Sequence, residues 1–317
     1  MPIYRCNKCG FISEDSQTPI HTQTPCSRCG TSCMVYGTVF FVEEIVKRLA
    51  TASRELQQLK ASATSSPATS AASMSSAPPH GTEPLKYWFT EKKINAEFDP
   101  SLSDTSGFFD DMATRIGDDY GLFAELMDRV RYAYRKSHSN VTLELAQLSQ
   151  KDGQAVTKLC RELYEHTFFS RFHYQKPEKI ARLTLQTAPA IRQFFEGGWL
   201  EWYALMAVRQ QSQKALLGSA RSVKVHFPNE DLHELDVVCL PEDKLPICIE
   251  CKSGEFRRDI DKYLRLRKRL DIPAQRFLIL APELTQEQAQ GLSAMYELSF
   301  VNLSTLKLHL QQLLPSQ

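Results

Sequence analysis

The chain lacks an excess of charge. Its 38 Lys and Arg stand against 37 Asp and Glu over 317 residues, a formal net charge of +1. It is therefore no uniform polycation for nucleic acid, and any basic surface must be local. It also lacks an apolar run long enough to cross a bilayer as a helix, so no membrane partner is expected. The opening Met-Pro-Ile-Tyr-Arg-Cys holds no secretory apolar stretch, which makes a cytoplasmic location the expectation. The nine cysteines are then expected as reduced thiols or metal ligands rather than disulfides. What is present is an ordinary apolar share of 42 %, enough for a sizeable core, over a length that allows two or three domains.

Five of the cysteines crowd into residues 1–38. Cys6-Asn-Lys-Cys9-Gly and Cys26-Ser-Arg-Cys29-Gly are matching turns in which two thiolates can point at one ion and the glycine permits the tight backbone. Four sulfurs on Zn²⁺ would substitute for a core too small to fold alone, and the doubled spacing looks like a zinc ribbon with a structural metal. Cys33 and His21 are spare candidates of lower rank. Residues 39–61 read as an amphipathic helix, with Val42, Ile45, Leu49, Ala52, Leu56 and Leu59 at spacings of three and four. That seam suits either a short coiled coil or packing on the ribbon. Residues 62–84, rich in Ser, Ala, Thr and Pro, read as a flexible tether that leaves the N-terminal module mobile.

Residues 85–190 read as a helical and winged-helix-like region. Apolar residues recur near helical period around Phe108–Ile116 and Leu122–Val130, with Arg129, Arg131, Arg135 and Lys136 making one end basic. A helix over 153–165 then buries Val156, Leu159, Cys160, Leu163 and Tyr164, and two strands, 168–174 and 180–185, flank the turn at 176–179. That order resembles a winged helix, a form used both for nucleic-acid binding and for purely structural contacts.

Residues 191–317 give a helix over 199–214 and strands over 223–227, 235–240 and 246–252. A charged helix follows over 258–270, then a buried strand over 277–280, a helix after Pro282 and Glu283, a strand near Phe300 and Val301, and a last helix from Leu303. This is an α/β pattern, a mixed sheet flanked by helices. Alternation along 246–252 sets Ile247, Ile249 and Cys251 on one face and Cys248, Glu250 and Lys252 on the other. A carboxylate and an ammonium thus share one space, within reach of Asp236 on the preceding strand. Buried charge of this kind is costly unless paired or bound to metal. Glu201 is the one charge between Gly197 and Val208, in an otherwise apolar helix.

Asp236 followed by Glu250-Cys-Lys252, on this element order, resembles the PD-(D/E)xK nuclease superfamily, with Leu235 in place of the proline. Together with Gly197-Gly-Trp-Leu-Glu201 it looks most like the nuclease half of the CRISPR-associated nucleases activated by cyclic oligoadenylate. The resemblance covers residues 190–317 and does not extend to their nucleotide-sensing domain. It implies a restriction-endonuclease-like fold and phosphodiester hydrolysis in defence against foreign nucleic acid, with DNA ahead of RNA and a homodimer as a family expectation. Asp236 and Glu250 would hold Mg²⁺ or Mn²⁺, hard ions that prefer oxygen. Glu201 would hold a second ion or its water, and the Cys251 carbonyl could add a ligand. Lys252 would orient or help deprotonate the attacking water and steady charge near the phosphate. Cys239, Cys248 and Cys251 read as small core residues. Arg257, Arg258, Lys262, Arg265, Arg267, Lys268 and Arg269 offer a basic face beside the site, and Ser253 and Gly254 could let substrate approach closely. The competing expectation is a retired nuclease fold serving as a nucleic-acid or protein adaptor.

Overall fold

Two cysteine knuckles shape the first sheet of the protein, which is described here from a computed structural model covering residues 2–37, 81–103, 107–212, 216–227 and 232–314. Strands β1 (Pro2–Arg5), β2 (Ile12–Glu14), β3 (Gln23–Pro25) and β4 (Ser32–Gly37) form an antiparallel sheet in the order β2-β1-β4-β3. In each knuckle the first cysteine receives a backbone bond from the glycine four residues on and gives its own N–H to the carbonyl five residues on, all at 2.8 Å. Gly10 and Gly30 sit at φ 69° and 71°, the left-handed region where a side chain is strained. The expected helix over 39–61, its coiled-coil seam and the tether up to residue 80 lie outside the described residues.

The described residues fall into two compact units, 2–37 with 125–193, and 81–124 with 194–314. This differs from the expected single region over 85–190, since residues 85–124 belong with the C-terminal unit. In the first unit, β6 (Asn140–Glu144), β7 (Phe169–Gln175) and β8 (Ile180–Leu185) form a sheet in the order β6-β8-β7. Helix α4 (Gln150–Glu165) buries Val156, Thr157, Leu159, Cys160 and Leu163, and Ser149 caps it by accepting from the Asp152 N–H at 3.2 Å. The ribbon is not a mobile appendage as its composition-based tether suggested. Met34 and Tyr36 on β4 pack with Ile3 and with Tyr164 of α4. Asn7 Nδ2 donates to Thr167 Oγ1 at 2.5 Å, Gln23 Nε2 to the Ser170 carbonyl at 3.2 Å, and Tyr164 Oη to the His21 carbonyl at 3.2 Å. The physical reason is that β4 is apolar on both faces: Cys33 and Val35 fill the ribbon's own small core, and the opposite pair needs a second surface.

The second unit is built on a six-stranded mixed sheet. Its members are β5 (Asn95–Glu97), β9 (Leu216–His226), β10 (His233–Pro241), β11 (Ile247–Cys251), β12 (Phe277–Leu280) and β13 (Ser299–Val301), in the order β13-β12-β11-β10-β9-β5. β9, β10 and β11 are antiparallel, whereas β11, β12 and β13 run parallel. Parallel neighbours need crossovers, and α7 (Ile260–Leu270) and α8 (Gln286–Met295) supply them. α1 (Glu83–Glu91) buries Leu85, Trp88 and Phe89 with Ile260, Tyr263, Leu266 and Leu270 of α7 in one core on the sheet. Its first two residues had been assigned to the tether. α6 (Trp199–Ser212) lies against β9, β10 and β11, with α2 (Phe109–Asp118) and α9 (Leu303–Leu313) packed on it. Being covered so widely, α6 is apolar nearly all round, which is why its one acid stood out. β9 starts seven residues before the expected strand, and β5 was not expected at all.

Candidate active site and metal centre

Four sulfurs meet in the ribbon. The Cys6, Cys9, Cys26 and Cys29 Sγ atoms all lie within 4.8 Å of one another, with Cys6 and Cys29 at 3.5 Å and Cys9 and Cys26 at 3.7 Å. A tetrahedron of Zn–S bonds of about 2.3 Å has edges of roughly 3.8 Å, so the donor set and its spacing fit structural zinc. Thr31 beside Cys29 holds that thiol down to about 6, toward the thiolate a metal needs. Cys33 stays outside the cluster, in the ribbon core, and burial raises its thiol. His21 is exposed and also outside it.

The second site sits where β10 meets β11. Val237 pairs with Ile249 and Val238 with Cys248, so the next step of the register sets Asp236 opposite Glu250. Asp236 Oδ2 accepts the Cys251 N–H at 2.7 Å and lies 3.4 Å from Lys252 Nζ. Lys252 Nζ is 3.5 Å from Glu250 Oε2, which closes a triad of two acids and one ammonium. Glu250 is 3 % exposed, and its Oε1 has no hydrogen-bond partner. Burial first, then the neighbouring Asp236, push its carboxyl up to about 8 against the pull of Lys252. Burial works to lower the Lys252 ammonium, but Asp236 and Glu250 outweigh it and raise it. The Tyr263 ring of α7 lies under that ammonium, 5.5 Å from Nζ.

Strict alternation fails beside this triad. On β9 the core shared with α1 and α7 takes Ala220 and then Val223, and on β10 it takes Leu235 and then Val238. Each gap is one residue longer than a regular strand allows. The ladder runs from Leu235–Val223 to Val237–Arg221 without an intervening pair, and Ser222 has φ 50°. An irregularity of this kind re-aims side chains. Asp236 turns toward the β11 backbone, while Arg221 goes to the α6 side of the sheet.

Glu201 is on that side. Its Oε2 accepts from Arg221 Nη1 at 2.7 Å and from Ser222 Oγ at 3.2 Å. Arg221 also donates Nε to the Leu102 carbonyl at 2.9 Å and stacks 4.3 Å over the Trp202 ring. Burial is the main cause that lifts Glu201 to about 7, although Arg221 opposes it. The four expected residues are therefore near one another, but they are not one ligand sphere. Among the described residues the four cysteines are the one group of three or more His, Cys, Asp or Glu donors gathered that closely. Arg221, Ser222 and Tyr263 are the members the sequence did not single out. The signal for Arg221 was there, a lone charge in Leu216-Leu-Gly-Ser-Ala-Arg221-Ser-Val.

The residues present fit a hard divalent cation. Glu250 Oε1 is a buried acceptor with nothing to accept from, and the Asp236 and Glu250 carboxylates both lie against the Lys252 ammonium, at 3.4 and 3.5 Å. Cys239 and Cys248 are buried with burial-raised thiols, as core residues, and Cys251 likewise has its thiol raised. No helix among the described residues is long and apolar enough to cross a membrane.

Comparison with known proteins bears on this unit. Residues 189–272 match the family described as the Card1-like endonuclease domain, and all four expected site residues fall within that span. No curated protein matches the chain. Among solved structures, Can2 from Sulfobacillus thermosulfidooxidans, in complex with cyclic tetra-adenylate, is 17 % identical with a TM-score of 0.51, over 73 % of this chain and 61 % of its own. Protein VC1899 from Vibrio cholerae is 18 % identical with a TM-score of 0.48, over 71 % and 59 %. The chain thus spans about three fifths of the length of these structures. Between residues 189 and 272 it carries a domain similar to the Card1-like endonucleases, on the mixed α/β nuclease fold that its motifs resemble.

Proposed function

We propose that this chain is a metal-dependent nuclease that hydrolyses phosphodiester bonds, of DNA ahead of RNA, in defence against foreign nucleic acid. The observation that carries the reading is the Asp236–Glu250–Lys252 triad on paired strands, with a buried carboxylate oxygen left without a partner. Asp236 and Glu250 would hold Mg²⁺ or Mn²⁺. The bound ion would supply Lewis-acid activation of water and neutralise charge on the phosphate. Lys252, kept protonated by its two acids, orients the attacking water and steadies the developing negative charge rather than taking a proton. Tyr263 positions that ammonium. Glu201 joins the metal only by exchanging Arg221 for it, so its default role is to anchor Arg221 beside the site. The ribbon's four thiolates would hold structural Zn²⁺. A homodimer, which would bring two sites to the two strands of a duplex, and a cytoplasmic location complete the reading.

The test is cleavage of supercoiled plasmid, single-stranded DNA and RNA with Mg²⁺ or Mn²⁺. Wild type should cut in a metal-dependent way, and Asp236→Asn should not while melting as wild type does. Equal cutting by both proteins would sink the assignment.

A further inference from the structure

Seven basic residues lie between positions 257 and 269, and the structure ties up four of them. Arg257 pairs with Glu255 at 3.6 Å, and Arg267 and Lys268 both reach Glu297, at 2.6 and 3.4 Å. The Arg269 guanidinium rests 4.6 Å over the Phe227 ring. Arg258, Lys262 and Arg265 are exposed and have no acidic partner among the described residues. Their spacing of four and then three places them in one row on a flank of α7 and the turn that leads into it.

The row runs beside the triad. Tyr263, on the same helix as Lys262 and Arg265, lies under Lys252. From Arg258 to Arg265 the row runs roughly 10 Å at about 1.5 Å per residue. One strand of DNA places a phosphate about every 3.4 Å of axis, so the row spans about three such steps, or about four consecutive phosphates. Three exposed cations in line, without a salt-bridge partner among the described residues and beside a site for a phosphodiester, have one natural complement.

We propose that Arg258, Lys262 and Arg265 form a phosphate track that grips the DNA strand being cut and leads it away from the scissile bond at Asp236 and Glu250. The track rests on the nuclease reading for its scissile bond but not for its binding. It carries affinity without base specificity, because phosphates bear no sequence.

The test compares wild type with the full-length triple variant Arg258→Gln, Lys262→Gln, Arg265→Gln. Each protein is assayed on a fluorescein-labelled single-stranded DNA oligonucleotide and on bis(p-nitrophenyl) phosphate. The variant should show a raised KM on the oligonucleotide and unchanged turnover of the small diester. Its binding, followed by anisotropy in magnesium-free buffer, should lose about 2 from the slope of log K against log salt. That amounts to roughly 100-fold in affinity at 0.1 M salt relative to 1 M. Unchanged KM and slope would overturn the track. If wild type cuts neither substrate, the nuclease reading fails, yet anisotropy still decides the track. A slope lost in the variant supports it, whereas equal slopes, or no binding by wild type, overturn it.

Discussion

Replacing Glu250 with Gln should stabilise the metal-free protein and at the same time abolish its response to Mn²⁺. The carboxyl is 3 % exposed and faces Asp236, and these two influences outweigh Lys252. The folded protein therefore keeps the Glu250 proton up to about pH 8, whereas the unfolded chain gives it up near the ordinary value of 4.5. Below pH 4.5 both states are protonated and the group contributes nothing. Between the two values the unfolded state loses the proton first, so wild-type stability falls as pH rises. Above pH 8 the whole cost is present, and a rise of this size corresponds to about 5 kcal/mol. Gln is neutral throughout and escapes that cost. The assay is a thermal melt of zinc-loaded protein from pH 5 to 9, free of other divalent metals. The variant's advantage should be small at pH 5, grow toward pH 8 and then level off, at roughly 10–20 °C of Tm by the conversion of about 2–4 °C per kcal/mol. Added Mn²⁺ should raise the wild-type Tm and leave the variant's unchanged. A variant that melts at or below wild type at pH 8.5, or an advantage independent of pH, would refute the reasoning.

Three further outcomes follow from particular contacts. Replacing Cys26 with Ser should release about one equivalent of zinc per chain, detected with a chromogenic chelator. Because Asn7 and Gln23 bond to Thr167 and Ser170, it should also speed hydrogen exchange at the start of β7; unchanged protection there would contradict the docking of the ribbon. Gly117→Ala would set a Cβ 2.2 Å from the buried Tyr203 ring and force α6 outward, so it should lower stability by about 1–3 kcal/mol in a denaturant titration. Tyr263→Leu removes the ring that lies under Lys252, and should cut kcat roughly tenfold with KM unchanged, a loss of about 1.4 kcal/mol in the transition state.

The two candidate sites differ in how far the sequence disclosed them. The knuckles were legible because every donor is local: a turn of four residues and its glycine fix the direction of each sulfur pair. Glu250 and Lys252 were legible for a similar reason, as charges two apart in an apolar strand. Asp236 was legible in position but not in direction. The slip in alternation at Ser222 and Asp236 depends on which apolar neighbours the α1 and α7 core accepts, and no local pattern records that. β9 was read short because Gly218 and Ser219 are weak strand formers that here pair with β10. β5, three residues long, exists only through its pairing with the end of β9. The docking of the ribbon was hidden by the Ser-, Ala- and Pro-rich segment, which suggested separation where Met34 and Tyr36 required a partner surface. Glu201 was singled out correctly as unusual, but its nearest partner is a cation on β9 rather than the other acids.

The role given to Lys252 separates the nuclease account from a retired fold most directly. Zinc-loaded wild type and Lys252→Ala should be titrated with Mn²⁺ by calorimetry and then assayed on supercoiled plasmid. The account predicts that both proteins bind the ion, through Asp236 and Glu250, and that only wild type cuts. Plasmid cleavage by Lys252→Ala at the wild-type rate, or a wild type that binds no Mn²⁺ beyond the ribbon's metal, would contradict it.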